Sequence, residues 1–234
     1  PQTKDIAVEI DKSFIASLAD TVKRCTEAFS GFEFSAALQE AEAHFWSFCD
    51  GYVEIVKGRS YQSDDIAGRN SSLATLAYAF ETYLKLFAPF IPFTAEELWQ
   101  GKSYSFDTSA ESIHKCRWPN YSEILLMAAG QGRETLDVVT SVLGVIRQSK
   151  SSAQKTLKWP VSLLEVRGNS DAISSVRNSE FDLSKSGRVI EDGFRYVESS
   201  EEFQVNVTLG ADELAEALGL FEKKGGDHGT NASR

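Results

Sequence analysis

The chain has 234 residues, 42% of them hydrophobic and 11% aromatic, which is enough to bury a sizeable core and unlike a disordered chain. No apolar run approaches the roughly 18 to 20 residues that span a bilayer, and the N-terminus, PQTKDIAVEIDKS, lacks the apolar stretch of a signal peptide. A net charge of −10 argues against general nucleic-acid binding by the whole surface.

In chain order, Ile15, Leu18, Val22, Cys25 and Phe29 repeat at spacings of three and four, the stripe of a core-facing helix. Phe34, Leu38, Ala41, Phe45, Phe48, Tyr52 and Ile55 continue the pattern, predicting one long helix from about Phe34 to Lys57, stopped by Gly58. A third helix is expected from about Asp65 to Phe87, with Leu73, Leu76, Phe80, Leu84 and Phe87 inward and Pro89 as its stop. Thr94 and Glu97 have capping-box spacing, so a further helix is expected to start at Thr94. Long helices on short loops make an antiparallel bundle.

The pattern changes after about Ile124. Thr135 to Lys150 reads as a helix with Leu136, Val139, Leu143 and Ile146 inward. Ser162–Arg167, Val189–Ile190, Phe194–Val197 and Phe203–Leu209 are short alternating or β-branched runs, expected as strands, and Ala211–Phe221 as a closing helix. The expected organisation is a mainly α chain. A helical bundle over 1–123 precedes a small α/β or α+β module over 124–221 and a disordered tail over 222–234.

Cys25, Cys49 and Cys116 are odd in number and far apart, fitting reduced thiols of a cytoplasmic protein rather than a disulfide framework. They share no ligand-like spacing with His44, His114 and His228, so no metal site is expected. The missing initiator methionine points to a processed chain or a piece of a longer one. From Val138 to Leu164 there is no Asp or Glu, but there are Arg147, Lys150, Lys155 and Lys158, while the remaining residues carry −14. A basic window on an acidic body suits a localised anionic partner, and phosphate contact competes here with a plain solvated helix end. Trp46 falls off the apolar stripe, on a face shared with Asp50 and Lys57, where it either packs on a neighbouring helix or stacks on a base. Lys57 and Arg59 at a helix end satisfy the helix dipole even without a partner.

Three segments then carry a resemblance. FSAALQEAEAHFWSFCDGYVEIVKGR (34–59), LFAPFIPFTAEELWQ (86–100) and SIHKCRWP (112–119) resemble, in order, the anticodon-binding domain of class I aminoacyl-tRNA synthetases of the valine, isoleucine and leucine group. The phrase FWSFCDGYVE is most like the valine enzymes, and VIRQSKSSAQKTLKWPV (145–161) is similar to the module that follows this domain in some of them. The resemblance implies a helical bundle gripping the anticodon arm of a tRNA, with splayed bases read by stacking and base-edge hydrogen bonds. It places Trp46, Lys57, Arg59 and Arg69 near the anticodon, and Arg147, Lys150, Lys155 and Lys158 on the RNA backbone. It also implies a parent reaction, ATP-dependent activation of valine and its transfer to tRNA, run with ATP and magnesium in a catalytic domain outside this chain. No catalytic residue, cofactor, DNA or membrane partner is expected here, and the parent's catalytic domain is an expected partner in cis. DLSKS (182–186) imitates the family's phosphate-binding K-M-S-K-S loop, but Asp182 stands where a lysine belongs and the segment follows the bundle instead of preceding it. Two rivals stay open: an isoleucine or leucine enzyme, and a free-standing helical interaction module with no RNA partner.

Overall fold

The computed structural model describes residues 2–62, 64–101, 110–200 and 202–219, so the tail expected at 222–234 lies outside the described residues. Helix α1, Glu9–Ser30, buries Ile15, Leu18, Val22 and Cys25 as the spacing requires. The long second helix forms in three continuous pieces: α2, Phe34–Ser47, a π-helical turn over Phe48–Tyr52, and α3, Val53–Ser60. Inside that turn, Phe48 and Tyr52 both meet Phe14 of α1, with ring centroids 5.4 and 4.2 Å away. Gly58 does not stop the helix. It lies within α3, where a Cβ would sit 2.6 Å from Lys185 Cβ, so its bare backbone permits a close helix–helix approach.

Helix α4, Ile66–Phe87, is capped by Asp65, whose Oδ1 accepts from Gly68 N at 2.8 Å. Its deepest face is not the expected leucine stripe, of which only Leu84 is fully buried. Ser71, Thr75, Ala79, Tyr83 and Leu86 go inward instead, because Ser71 Oγ donates to the buried carboxylate of Asp11 at 2.6 Å and large side chains would displace it. Phe80 and Leu84 join a second apolar cluster with Ala88, Ala95, Trp99 and Ile113. Helix α5, Pro92–Gly101, starts two residues before Thr94, with proline at the first position, where no N–H is needed. Glu96 of α5 accepts from Ser112 Oγ at 2.8 Å and from Ile113 N at 3.0 Å, which docks the SIHKCRWP segment. Trp118 closes the corner, donating to Thr26 Oγ1 at 2.9 Å and meeting the Phe29 ring edge-on at 4.8 Å.

Two further helices follow, α6 over Tyr121–Met127 and α7 over Glu134–Ser152. Leu136 N of α7 donates to Ser13 Oγ at 2.9 Å, seating it on α1. A three-stranded sheet comes next, in order β2-β1-β3, with β1 over Val161–Gly168, β2 over Phe194–Glu198 and β3 over Gln204–Leu209. Strand β1 runs parallel to β2 (Leu164 opposite Phe194) and antiparallel to β3 (Leu164 opposite Val207). Helices α8, Ser170–Asn178, and α9, Glu180–Gly187, were not legible as apolar stripes, yet they supply the crossover that a parallel pair demands. Val189 makes only a single bridge to Val161, and α10 spans Asp212–Ala217. One apolar core runs without a break from Phe14 through Ile146 to Leu164. Among the described residues, no helix is long and apolar enough to cross a membrane.

Candidate nucleic-acid interface

The residues expected to meet RNA fall into three places. Trp46 lies on the outer face of α2, 56% exposed, with its ring against Phe45 at 5.7 Å. It borders an apolar groove of about 370 Å³ between α2, α4 and α5, lined also by Leu38, Phe80, Phe87, Ile91 and Leu98. Phe93, at the start of α5, is 90% exposed, whereas Phe90 is half-buried against Phe29 at 5.7 Å. Such a surface offers stacking area, with Glu42 the one charged side chain lining the groove.

Lys57 and Arg69 lie elsewhere, at the end of α3 and the start of α4. Lys57 is eleven residues beyond Trp46 on one continuous helix, roughly 16 Å at the usual rise. It is exposed, with Nζ 3.2 Å from Glu54 Oε1 one turn back. Arg69 is half-buried, and its Nε is buried with no hydrogen-bond partner among the described residues.

Arg59 requires a correction. It is 4% exposed, and its guanidinium is spent on protein groups. Nη1 and Nη2 donate to Asp11 Oδ2 and Oδ1 at 2.8 and 2.7 Å, Nη1 also to Gly68 O at 3.2 Å, and Nε to Asp182 Oδ1 at 3.1 Å. Tyr52 Oη adds a donation to Asp11 Oδ1 at 2.6 Å. The arginine therefore ties α1, α3 and α4 to α9, and an RNA phosphate has no access to it. Asp182, the residue that spoiled the K-M-S-K-S likeness, is its second carboxylate. Burial pushes the Asp182 carboxyl up to about 6, with Arg59 pulling the other way.

The basic window divides similarly. Lys150 also requires correction, because it is 1% exposed and its Nζ donates to Leu157 O at 3.0 Å and Gly187 O at 2.7 Å. Burial, and then Arg188, lower its pKa to about 8, so it remains charged at neutral pH. Arg147 Nη1 donates to Asp50 O in the π turn at 2.9 Å, holding α7 there. Lys155 pairs with Asp212 Oδ1 at 3.0 Å and lies 3.7 Å from the Trp159 ring centroid. Trp159 is an anchor, buried and donating to Gly210 O at 2.9 Å. Lys158 alone of the window is exposed and faces a cleft of about 610 Å³, shared with Lys185 and Arg188. Sequence reasoning missed these last two. Their signal was KSGR (185–188), two cations with no carboxylate between them, set aside with the spurious loop motif.

A polar cavity of about 310 Å³ between α1, α2 and α7 is lined by His44, Arg24, Glu40, Arg133 and Asp137. Its cations are already paired, Arg24 with Glu40 at 2.7 Å and Arg133 with Asp137 at 2.8 Å. His44 bridges Ser17 Oγ at 2.9 Å and Tyr83 Oη at 2.6 Å, and burial lowers its pKa to about 4, so it is neutral core structure. Among the described residues, no three His, Cys, Asp or Glu side chains gather as a metal site would.

The chain is 34% identical over 186 residues to a valine–tRNA ligase of Cutibacterium acnes, covering 79% of this chain and 20% of that protein. It is 33% identical over 204 residues to the enzyme of that name from Thermobifida fusca (87% and 22%), and 28% identical over 225 residues to that of Bifidobacterium longum (93% and 24%). It thus spans about a quarter of the length of the curated relatives it matches. The family model for the anticodon-binding domain of tRNA ligases matches residues 11–166, from Asp11 of the buried Arg59 network into β1. The chain belongs to the anticodon-binding domain family of tRNA ligases.

Proposed function

We propose that this chain recognises the anticodon arm of the valine tRNA, as the C-terminal tRNA-binding part of a cytoplasmic valine–tRNA ligase. The parent reaction joins valine to its tRNA with cleavage of ATP to AMP and diphosphate. Activation, with ATP and magnesium, belongs to a catalytic domain in cis, and the present chain alone is inactive. The carrying observation is the anticodon-domain match over 11–166 together with relatives named for valine.

In this reading residues 1–123 read the anticodon, and residues 124–221 support them and add contacts to the RNA backbone. Trp46, with the groove beside it, receives an unstacked base, while Lys57, Arg69 and Arg147 hold neighbouring phosphates. Arg59 and Lys150 act from inside, by fixing the elements that carry these contacts. Lys155 is largely neutralised by Asp212, and Lys158 is the window's principal phosphate contact.

A filter-binding titration of the chain with valine, isoleucine and leucine tRNAs tests the reading. Tightest, salt-sensitive binding of the valine tRNA is expected. Preference for another tRNA overturns the amino-acid assignment, and no salt-sensitive binding to any of the three overturns RNA recognition altogether.

A further inference from the structure

Outside the groove and the buried networks, the cations of the C-terminal module sort into two kinds. Lys150 and Lys155 are engaged by protein groups. Lys158, Lys185 and Arg188 are exposed, have no carboxylate partner among the described residues, and line one cleft together with Ser184 and a single carboxylate, Glu191. Three cations against one acid give the cleft a local +2 on a chain of net −10.

The cleft is held open by the groups that sequence reasoning had sent to the RNA. Lys150 Nζ bridges Leu157 O and Gly187 O, tying together the two segments that carry Lys158 and Arg188. Arg188 sits in the left-handed region at φ 57, its carbonyl accepting from Val161 N at 2.8 Å, so β1 fixes where its side chain departs. Lys185 is positioned from the other side. The bare backbone of Gly58 lets its stem lie against the last turn of α3, next in sequence to Lys57, and Asp182 of the same helix is locked to Arg59. Exposed cations on pre-set stems lose little freedom when an anion arrives.

From this juxtaposition we infer that Lys158, Lys185 and Arg188 form a second RNA-binding site, a cleft that takes backbone phosphates of the tRNA on a track continuing from Lys57. The inference rests on the tRNA reading above and extends it from the bundle to the module. It also assigns Lys150 as a positioning residue, one that touches no phosphate.

The test is the salt dependence of binding by the full chain to two probes, the valine tRNA and a twelve-nucleotide oligouridylate that has no anticodon fold. The cleft variant carries Lys158→Gln, Lys185→Gln and Arg188→Asn, the last because asparagine tolerates left-handed backbone. Each lost phosphate contact lowers the log–log slope by roughly 0.7 for single strands, so the variant is expected to lose about 2 from its slope on both probes. A Lys155→Gln control leaves both slopes in place. Unchanged slopes in the cleft variant overturn the inference, as does a wild-type chain that binds neither probe in a salt-sensitive way. If the variant lowers the oligouridylate slope while wild-type chain binds tRNA no more tightly than oligouridylate, the cleft stands and anticodon-arm recognition fails.

Discussion

The groove beside Trp46 and the cleft beside Arg188 both border the main core but are built from opposite materials. The groove is aliphatic and aromatic, with Glu42 its one charged lining residue. The cleft gathers Lys158, Lys185 and Arg188 around one carboxylate. A base has a π-face and little charge, whereas a phosphate has charge and no face, so a single surface serves both poorly. The bundle presents area and the module presents charge. The buried Asp11–Arg59–Asp182 network holds the two at a fixed distance, because it joins α1 and α3 of the first to α9 of the second.

Breaking that link has the largest expected effect. Arg59→Ala strands the carboxylates of Asp11 and Asp182 in the interior, and removing one partner of a buried pair costs about 3–5 kcal/mol. Urea unfolding should show that loss. The RNA salt slope of the molecules still folded should not change, which separates a structural arginine from a phosphate ligand.

Acid titration comes next and probes one buried group in each region, His44 of the bundle and Asp182 of the module. His44 has its pKa lowered from 6.5 to about 4 by burial and then by Arg24 and Arg133. Its folded-state pKa is depressed, so its contribution is complete above pH 6.5 and is lost as pH falls from there to about 4. The loss is about 3 kcal/mol at most. Asp182 works in the opposite sense. Raised from 3.8 to about 6, it favours the folded chain fully below 3.8 and loses that contribution as pH rises through 6. Asp182→Asn should therefore steepen acid unfolding between pH 6 and 4, and His44→Gln should flatten it, as read by thermal melts across that range.

Smaller effects separate the two surfaces. Trp46→Ala removes an exposed ring, so stability should shift by less than about 1 kcal/mol. Affinity for the valine tRNA should fall by about 1–3 kcal/mol, the worth of one stacked base, with an unchanged salt slope. Phe93→Ser, at a side chain 90% exposed, should leave stability within about 0.5 kcal/mol and should reduce any self-association seen by light scattering.

The apolar stripes of α1 and of α2 through α3 were plain in the sequence because their packing is periodic and local. The inner face of α4 was not, since Ser71 is buried against Asp11, sixty residues away along the chain, Thr75 bonds back to Ser71 O, and periodicity counts only apolar residues. Arg59 and Lys150 misled for the same reason. A cation near a helix end looks available until its partner is known, and for Arg59 one partner lies 123 residues further along. The Ser-rich segment of α8 and α9 carries little apolar signal of its own, so Lys185 and Arg188 were legible as charges but not as neighbours of Lys158. Family motifs located the corner at LFAPFIPFTAEELWQ, and the structure shows what one of its two acidic residues does: Glu96 holds the next motif in place.

The proposed reading of a valine tRNA's anticodon arm by this chain is put to the test by an anticodon exchange. The chain is titrated with valine tRNA and with the same tRNA carrying the isoleucine anticodon, at one fixed salt concentration. The expected result is a loss of affinity of at least about tenfold on exchange, or about 1.4 kcal/mol. Equal affinity for the two RNAs would contradict the account.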